Sequence, residues 1–184
     1  MPALDTSKTG ATEPREERES LATAVPSEAA GHVLALECRM PRVETGACFC
    51  GAIAATMDGE PFWICYDHDD DCRRAIGSPL TVWVGYRPRQ FNLLRGAPKA
   101  FSKTPGVIRT FCPDCGSSIG YSDEGLPDEL YLTIGFFDKP EGLRPQAHAY
   151  WDLRLPWVDF ADKLPRIDRY SRKRDAKFGN PSDR

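Results

Sequence analysis

Between about residue 31 and residue 165 the hydrophobic positions fall in short runs of four to eight, broken by Gly, Pro and Asp, with little sign of a helical period. Alternating and β-branched stretches predict strands over Val33–Leu36, Ala52–Met57, Phe62–Cys65, Leu80–Tyr86, Phe91–Leu94, Ile108–Phe111, Ser118–Tyr121, Leu130–Phe137 and Ala147–Trp151. Turn clusters such as Asp58-Gly59-Glu60-Pro61, Arg95-Gly96-Ala97-Pro98 and Asp138-Lys139-Pro140 separate them. One short helix is predicted from Asp70 to Ile76, stopped by Gly77-Ser78-Pro79, where glycine and proline break the hydrogen-bond ladder. Strands at this spacing predict a mainly β domain of packed antiparallel sheets.

The flanks have a different composition. Residues 1 to 30 mix Thr, Ser, Glu, Pro and Ala without apolar periodicity, which predicts a disordered tail. Residues 166 to 184 are rich in Arg, Lys and Asp and are expected to form a flexible charged tail. No apolar run is long enough to cross a bilayer, and the polar N-terminal segment lacks the apolar stretch of a signal peptide, so neither a membrane nor secretion is expected. With 24 Lys and Arg against 27 Asp and Glu, the net charge of -3 offers no general attraction to phosphate backbones, and nucleic acid is not an expected partner.

The seven cysteines change the picture most. Their number is odd and they cluster in close pairs, which fits a disulfide framework badly and a metal site in a reducing cytoplasm well. Cys48-Phe49-Cys50-Gly51 and Cys112-Pro113-Asp114-Cys115-Gly116 each end in a glycine that permits a tight turn around thiolate sulfur. Brought together, Cys48, Cys50, Cys112 and Cys115 would hold one zinc ion, and four protein ligands make such a site structural. The competing reading is a set of small core residues with a chance or redox CxxC.

A second run, Cys65-Tyr66-Asp67-His68-Asp69-Asp70-Asp71-Cys72-Arg73-Arg74, packs two Cys, one His and four Asp into eight positions. If it coils, Cys65, His68, Asp69 and Cys72 share one face and could surround a metal ion. The alternative is an acidic loop in which Asp side chains cap the short helix and pair with Arg73 and Arg74. His148 alternates with Tyr150 and can simply pack, and Cys38 reads as a free thiol.

Taken together, GACFCGAI at Gly46–Ile53, CRRAIGSP at Cys72–Pro79, FCPDCGSSI at Phe111–Ile119, and AHAYW and LPWVDF at Ala147–Trp151 and Leu155–Phe160 resemble the glutathione-dependent formaldehyde-activating enzyme family, which includes centromere protein V. The resemblance implies a β-tent of antiparallel sheets and a structural zinc on Cys48, Cys50, Cys112 and Cys115. It also implies a catalytic zinc on a CHCxxC run that here reads Asp67-His68-Asp69-Asp70-Asp71-Cys72, with two thiolates replaced by carboxylates. Cys65, two residues upstream, could supply a displaced thiolate.

The function that the resemblance implies is that of a zinc-dependent carbon-sulfur lyase acting on a thiol adduct such as that of glutathione and formaldehyde. Cys65, Cys72 and His68 or Asp69 would hold the second metal, Asp67 or Asp69 would accept a proton, and Arg73, Arg74 and Arg109 would meet the carboxylates of a peptide-like thiol or form surface pairs with neighbouring Asp. The alternative is a non-catalytic structural-zinc domain that binds a protein partner.

Overall fold

A computed structural model describes residues 42–173, which lie in the second of two compact units, Arg39–Arg184. The tail expected over residues 1–30, the strand expected at Val33–Leu36 and the thiol of Cys38 lie outside the described residues.

Among the described residues, eleven strands form two sheets. β1 (Val43–Ala47), β2 (Ala54–Asp58) and β5 (Phe91–Arg95) make a three-stranded antiparallel sheet in the order β1-β2-β5. The larger sheet is built from β3 (Trp63–Asp67), β4 (Thr81–Tyr86), β6 (Lys99–Phe101), β7 (Val107–Phe111), β8 (Ser118–Asp123), β9 (Leu130–Thr133), β10 (Ala147–Ala149) and β11 (Arg166–Ile167). Its order is β11-β10-β3-β4-β9-β8-β7-β6. It is antiparallel except at one side, where β10 runs parallel to both β3 and β11. The molecule is therefore mainly β, as its pattern predicts, with a single short α-helix, α1 (Asp70–Ile76), among the described residues.

The central strands of the large sheet are covered on both faces, which is why they read as nearly continuous apolar runs. Their period of two sorts neighbours onto opposite sides. Ile64, Val84 and Leu132 face a core shared with Ala55 and Met57 of β2, between the two sheets. Cys65, Trp83 and Tyr131 face the other way, into a second cluster that holds Cys72, Tyr121 and Tyr150. Cross-strand pairs keep this sorting: Ile64 opposes Val84, Cys65 opposes Trp83, and Val84 opposes Leu132.

α1 has the limits that the sequence predicts. Asp69 caps its start by accepting the Cys72 amide at 3.1 Å, and Gly77 ends it with φ 73, its amide donating to the Arg73 carbonyl. The strand expected over Leu130–Phe137 stops at Thr133, and Ile134–Phe136 form a 3-10 turn. That turn drops Phe136 and Phe137 into the core between the sheets, a better place for two phenyl rings than alternation along a strand would give. β1 and β6 are not legible as strands, because VETGA and KAF carry little apolar signal.

Of the flexible tail expected over residues 166–184, the fold corrects the part up to residue 173, and the remainder lies outside the described residues. Arg166–Ile167 is β11, and Tyr170, Ser171 and Arg172 pack onto the large sheet. Its charge content disguises a segment whose apolar and hydrogen-bonding side chains find partners only in the folded sheet.

Candidate functional site

The first site grows out of the ends of two strands in different sheets. Cys48 and Cys50 follow β1, and Cys112 and Cys115 follow β7, each pair closing on a glycine in the left-handed region, Gly51 at φ 75 and Gly116 at φ 74. The two turns are pinned by Gly51 N to Cys48 O at 2.9 Å, Gly116 N to Cys112 O at 2.9 Å, and the Phe49 amide on the Ser117 hydroxyl at 3.1 Å. The four sulfur atoms lie within 4.8 Å of one another. Cys48 and Cys50 are separated by 3.6 Å, and Cys50 and Cys112 by 3.8 Å. Four thiolates at ~2.3 Å around a tetrahedral zinc stand ~3.8 Å apart, so this cluster could hold a zinc ion with little rearrangement.

Without a cation the four thiols divide: against the Ala52 amide, the neighbouring Cys115 and Cys48 thiols push Cys50 up to about 12, and burial raises Cys112, whereas Cys48 and Cys115 are lowered by hydrogen-bond donors. The Ile53 amide donates to Cys48 at 3.2 Å, and the Ser117 hydroxyl and amide pull the Cys115 thiol down to about 6.

The second site is a cavity of about 930 Å³ on the outer face of the large sheet. Cys65 and Asp67 of β3 point into it two residues apart, joined by Trp83 of β4, Arg109 of β7 and Tyr121 of β8. Asp69 and Cys72 enter from the start of α1. Gly116 and Ser118 also line it, so the four-cysteine turn abuts the cavity wall.

The Asp67 carboxylate accepts the Trp83 indole N–H at 2.8 Å and the Asp69 amide at 2.8 Å. Burial nevertheless lifts its pKa to about 6. The Arg109 guanidinium donates to Cys72 Sγ at 3.4 Å and stacks over the Tyr121 ring. Burial raises the Cys72 thiol, Asp67 raises it further, and Arg109 opposes both. The Cys65 thiol is pushed up to about 12 by burial and then by Asp67.

The structure thus brings Cys65, Asp67, Asp69 and Cys72 to one cavity, and takes His68 elsewhere. His68 is fully buried outside the cavity lining, its Nε2 3.0 Å from His148 Nδ1, while His148 Nε2 faces Asp162 at 3.2 Å. Both rings sit among Trp151 and Phe160. Burial, followed by the His148 charge, lowers the His68 pKa to about 4. Arg73 donates to the Leu153 carbonyl at 3.3 Å and does not line the cavity, whereas Arg74 stands at its rim, 3.8 Å from Asp70.

Among the described residues, Cys48, Cys50, Cys112 and Cys115 are the one group whose ligand atoms converge for a metal. Of the donors expected to hold a second zinc, Asp69 accepts the helix amide, Cys72 accepts from Arg109, His68 faces His148 away from the cavity, and Cys65 lines the cavity without converging on the others. As arranged, they do not fit a second zinc.

Several cavity residues give no signal in the sequence. Tyr121 and Tyr131 look like ordinary strand aromatics, Lys103 sits in a turn, and Tyr170, Ser171 and Arg172 lie in the segment whose composition predicts a tail. Only the register of β7, β8 and β9 and the return of the chain after β11 bring them together.

A sequence model described as glutathione-dependent formaldehyde-activating enzyme matches residues 43–153, more than half of the chain. No curated protein matches the sequence. Among solved structures, that of a Rhodobacter sphaeroides protein is similar, at 20% identity over 67% of this chain and 99% of the other, with a TM-score of 0.46. None of the helices among the described residues is long and apolar enough to cross a membrane.

Proposed function

Because the chain belongs to the glutathione-dependent formaldehyde-activating enzyme family, we propose that it is a cytoplasmic, zinc-dependent carbon-sulfur lyase-type enzyme that makes or breaks the adduct of a small thiol and an aldehyde, with glutathione and formaldehyde as the reference pair. The observation that carries this reading is the cluster of Asp67, Cys72 and Arg109 facing one cavity large enough for a small peptide.

Zinc enters through Cys48, Cys50, Cys112 and Cys115. Bound there, it would hold the turn that carries Gly116 and Ser118 against the cavity. The chemistry is assigned to the chain's own groups. The adduct forms when the thiol sulfur bonds to the carbonyl carbon, the sulfur loses its proton and the carbonyl oxygen gains one. Asp67, with a pKa near 6, is suited to take the thiol proton and return it to the oxygen, as a proton-transfer group works best when its pKa lies near the working pH. Arg109, which donates to Cys72 Sγ, supplies positive charge to this part of the cavity and would favour a substrate thiolate bound beside Cys72. Asp69 holds the start of α1 and so fixes Cys72. Arg74 lines the cavity and Arg73 does not, which supports Arg74 as the group that would meet a substrate carboxylate.

A non-catalytic zinc domain that binds a protein partner is the competing reading. It draws support from the engaged donors of the second cluster and from the raised thiols of Cys65 and Cys72. Exchange NMR on glutathione and formaldehyde at equilibrium separates the two. The protein is expected to accelerate interconversion of free thiol and adduct, with Asp67→Asn slowing it by about 100-fold. An interconversion rate identical with and without the protein would overturn the enzymatic reading.

A further inference from the structure

The segment that closes the cavity on one side lies beyond the family match, which ends at residue 153. After β11 pairs in parallel with β10, residues 168–172 run across the face of the large sheet, and their contacts follow the strand order. Tyr150, just after β10, donates its amide to the Arg169 carbonyl at 3.3 Å. Trp63 of β3 donates its indole N–H to the Ser171 hydroxyl at 3.2 Å. Arg172 reaches Glu129, just before β9, with Nη2 at 2.7 Å and Nε at 3.2 Å, while its guanidinium lies over the Phe62 ring.

Glu129 is buried, and it also accepts the Tyr131 hydroxyl, so one carboxylate ties the segment to a wall of the cavity. Between these anchors Tyr170 is half-buried, 6.0 Å from the Tyr150 ring, and Tyr170, Ser171 and Arg172 all line the cavity.

We infer that residues 166–172 are a specificity strap, in which the Tyr170 side chain sets the size of thiol adduct the cavity admits and the Arg172 to Glu129 pair holds it in place. The physical ground is that the strap is fixed at both ends, by backbone pairing and by a bidentate ion pair onto the buried Glu129 carboxylate, so the ring between them is held as a wall. A rigid wall selects by volume, because a substrate group that overlaps it cannot be accommodated by a side-chain swing. A compact thiol adduct is accordingly accepted, and a bulkier one is excluded by the phenol ring. This rests on the proposed thiol chemistry only for the identity of the ligand.

The test therefore uses a readout that needs no turnover. Cys65 and Cys72 line the same cavity, and their labelling by a small reagent, iodoacetamide, and a bulky one, pyrenyl maleimide, is followed by mass spectrometry on the full chain. Tyr170→Ala is expected to raise the ratio of bulky to small labelling by about tenfold, with zinc content and circular dichroism unchanged, and Tyr170→Phe to leave the ratio as in the native protein. Should the alanine variant fail to fold, Tyr170→Leu keeps an apolar contact with Tyr150 and carries the same expectation with a smaller rise. A native-like variant with an unaltered ratio overturns the strap. In a catalytically active protein the same change is expected to lower KM for a bulky thiol relative to that for a small one. Absence of turnover would count against the thiol chemistry alone, since the labelling ratio decides the strap without it.

Discussion

Two buried groups of opposite character sit on either side of the β3 to α1 junction, and their titrations pull stability in opposite directions. Burial raises the Asp67 pKa to about 6, so the folded protein holds a proton that the unfolded chain has lost above its ordinary value of 3.8. The stability this contributes is present below 3.8 and is lost as pH rises through 6. Burial and the His148 charge lower the His68 pKa from 6.5 to about 4, so its contribution is present above 6.5 and is lost as pH falls through 4. Asp67→Asn removes the first effect and keeps the second. Relative to the native protein, the variant is therefore expected to gain about 1 kcal/mol between pH 5 and pH 8, read from urea unfolding at the two pH values. A difference that does not change with pH would mean that Asp67 is ionised in the fold at much lower pH. The same substitution keeps one oxygen to accept the Trp83 indole but sets its NH2 against the Asp69 amide, so a loss that does not vary with pH is expected beside the pH-dependent gain.

At the scale of elements, the joint between the two sheets depends on one glycine. Gly46 of β1 bridges to Phe137, and a Cβ placed on it would lie 2.5 Å from the Phe136 carbonyl oxygen and 2.8 Å from the Phe136 ring. Neither neighbour can give way, because one is backbone and the other is a buried ring. Gly46→Ala is thus expected to cost about 1–3 kcal/mol in chemical denaturation, whereas Gly77→Ala, with open space around its Cβ, bears only the strain of a positive φ.

Much of this level is legible in the chain. α1 announces itself through Asp69 and Gly77, and β4 through an unbroken apolar run. The cysteine pairs show the metal centre by spacing alone, since a turn of fixed length carries its ligands with it. The cavity does not show itself in this way. Arg109 meets Cys72, and Arg172 meets Glu129, only through strand register and a long chain return, which no local pattern encodes. His68 misleads for a related reason: helical spacing puts it beside Cys72, but it precedes α1, on a stretch where its ring turns toward His148.

Across the whole molecule, the four-cysteine centre ties together parts that otherwise share mainly an apolar interface. β1 belongs to the small sheet and β7 to the large one, and the sulfurs that follow them meet at the sheet ends. A metal there closes a loop of chain running from Cys50 to Cys112, and with it the edge of the core formed by Ile53, Met57 and Ile119. Without it, Cys48 and Cys112 remain as buried small side chains, and the crowded sulfurs, with no cation between them, take up protons at Cys50 and Cys112, so the bonds that would hold the two turns together are lost. Zinc content is therefore expected to be one per chain by elemental analysis, and Cys65→Ala and Cys72→Ala are expected to leave it unchanged, because neither thiol belongs to the converging group. Cys112→Ser, or prolonged chelation, is expected to remove the metal and lower Tm by on the order of 10 °C, since losing a few kcal/mol shifts a domain of this size by that amount. Gly116 and Ser118 carry the effect into the cavity, so labelling of Cys72 should quicken in the metal-free protein as the wall beside it loosens. Two zinc ions per chain falling to one on removal of Cys72 would instead show that the carboxylates of Asp67 and Asp69 turn from their present partners to a second metal, and the proton-transfer role of Asp67 would have to be given up.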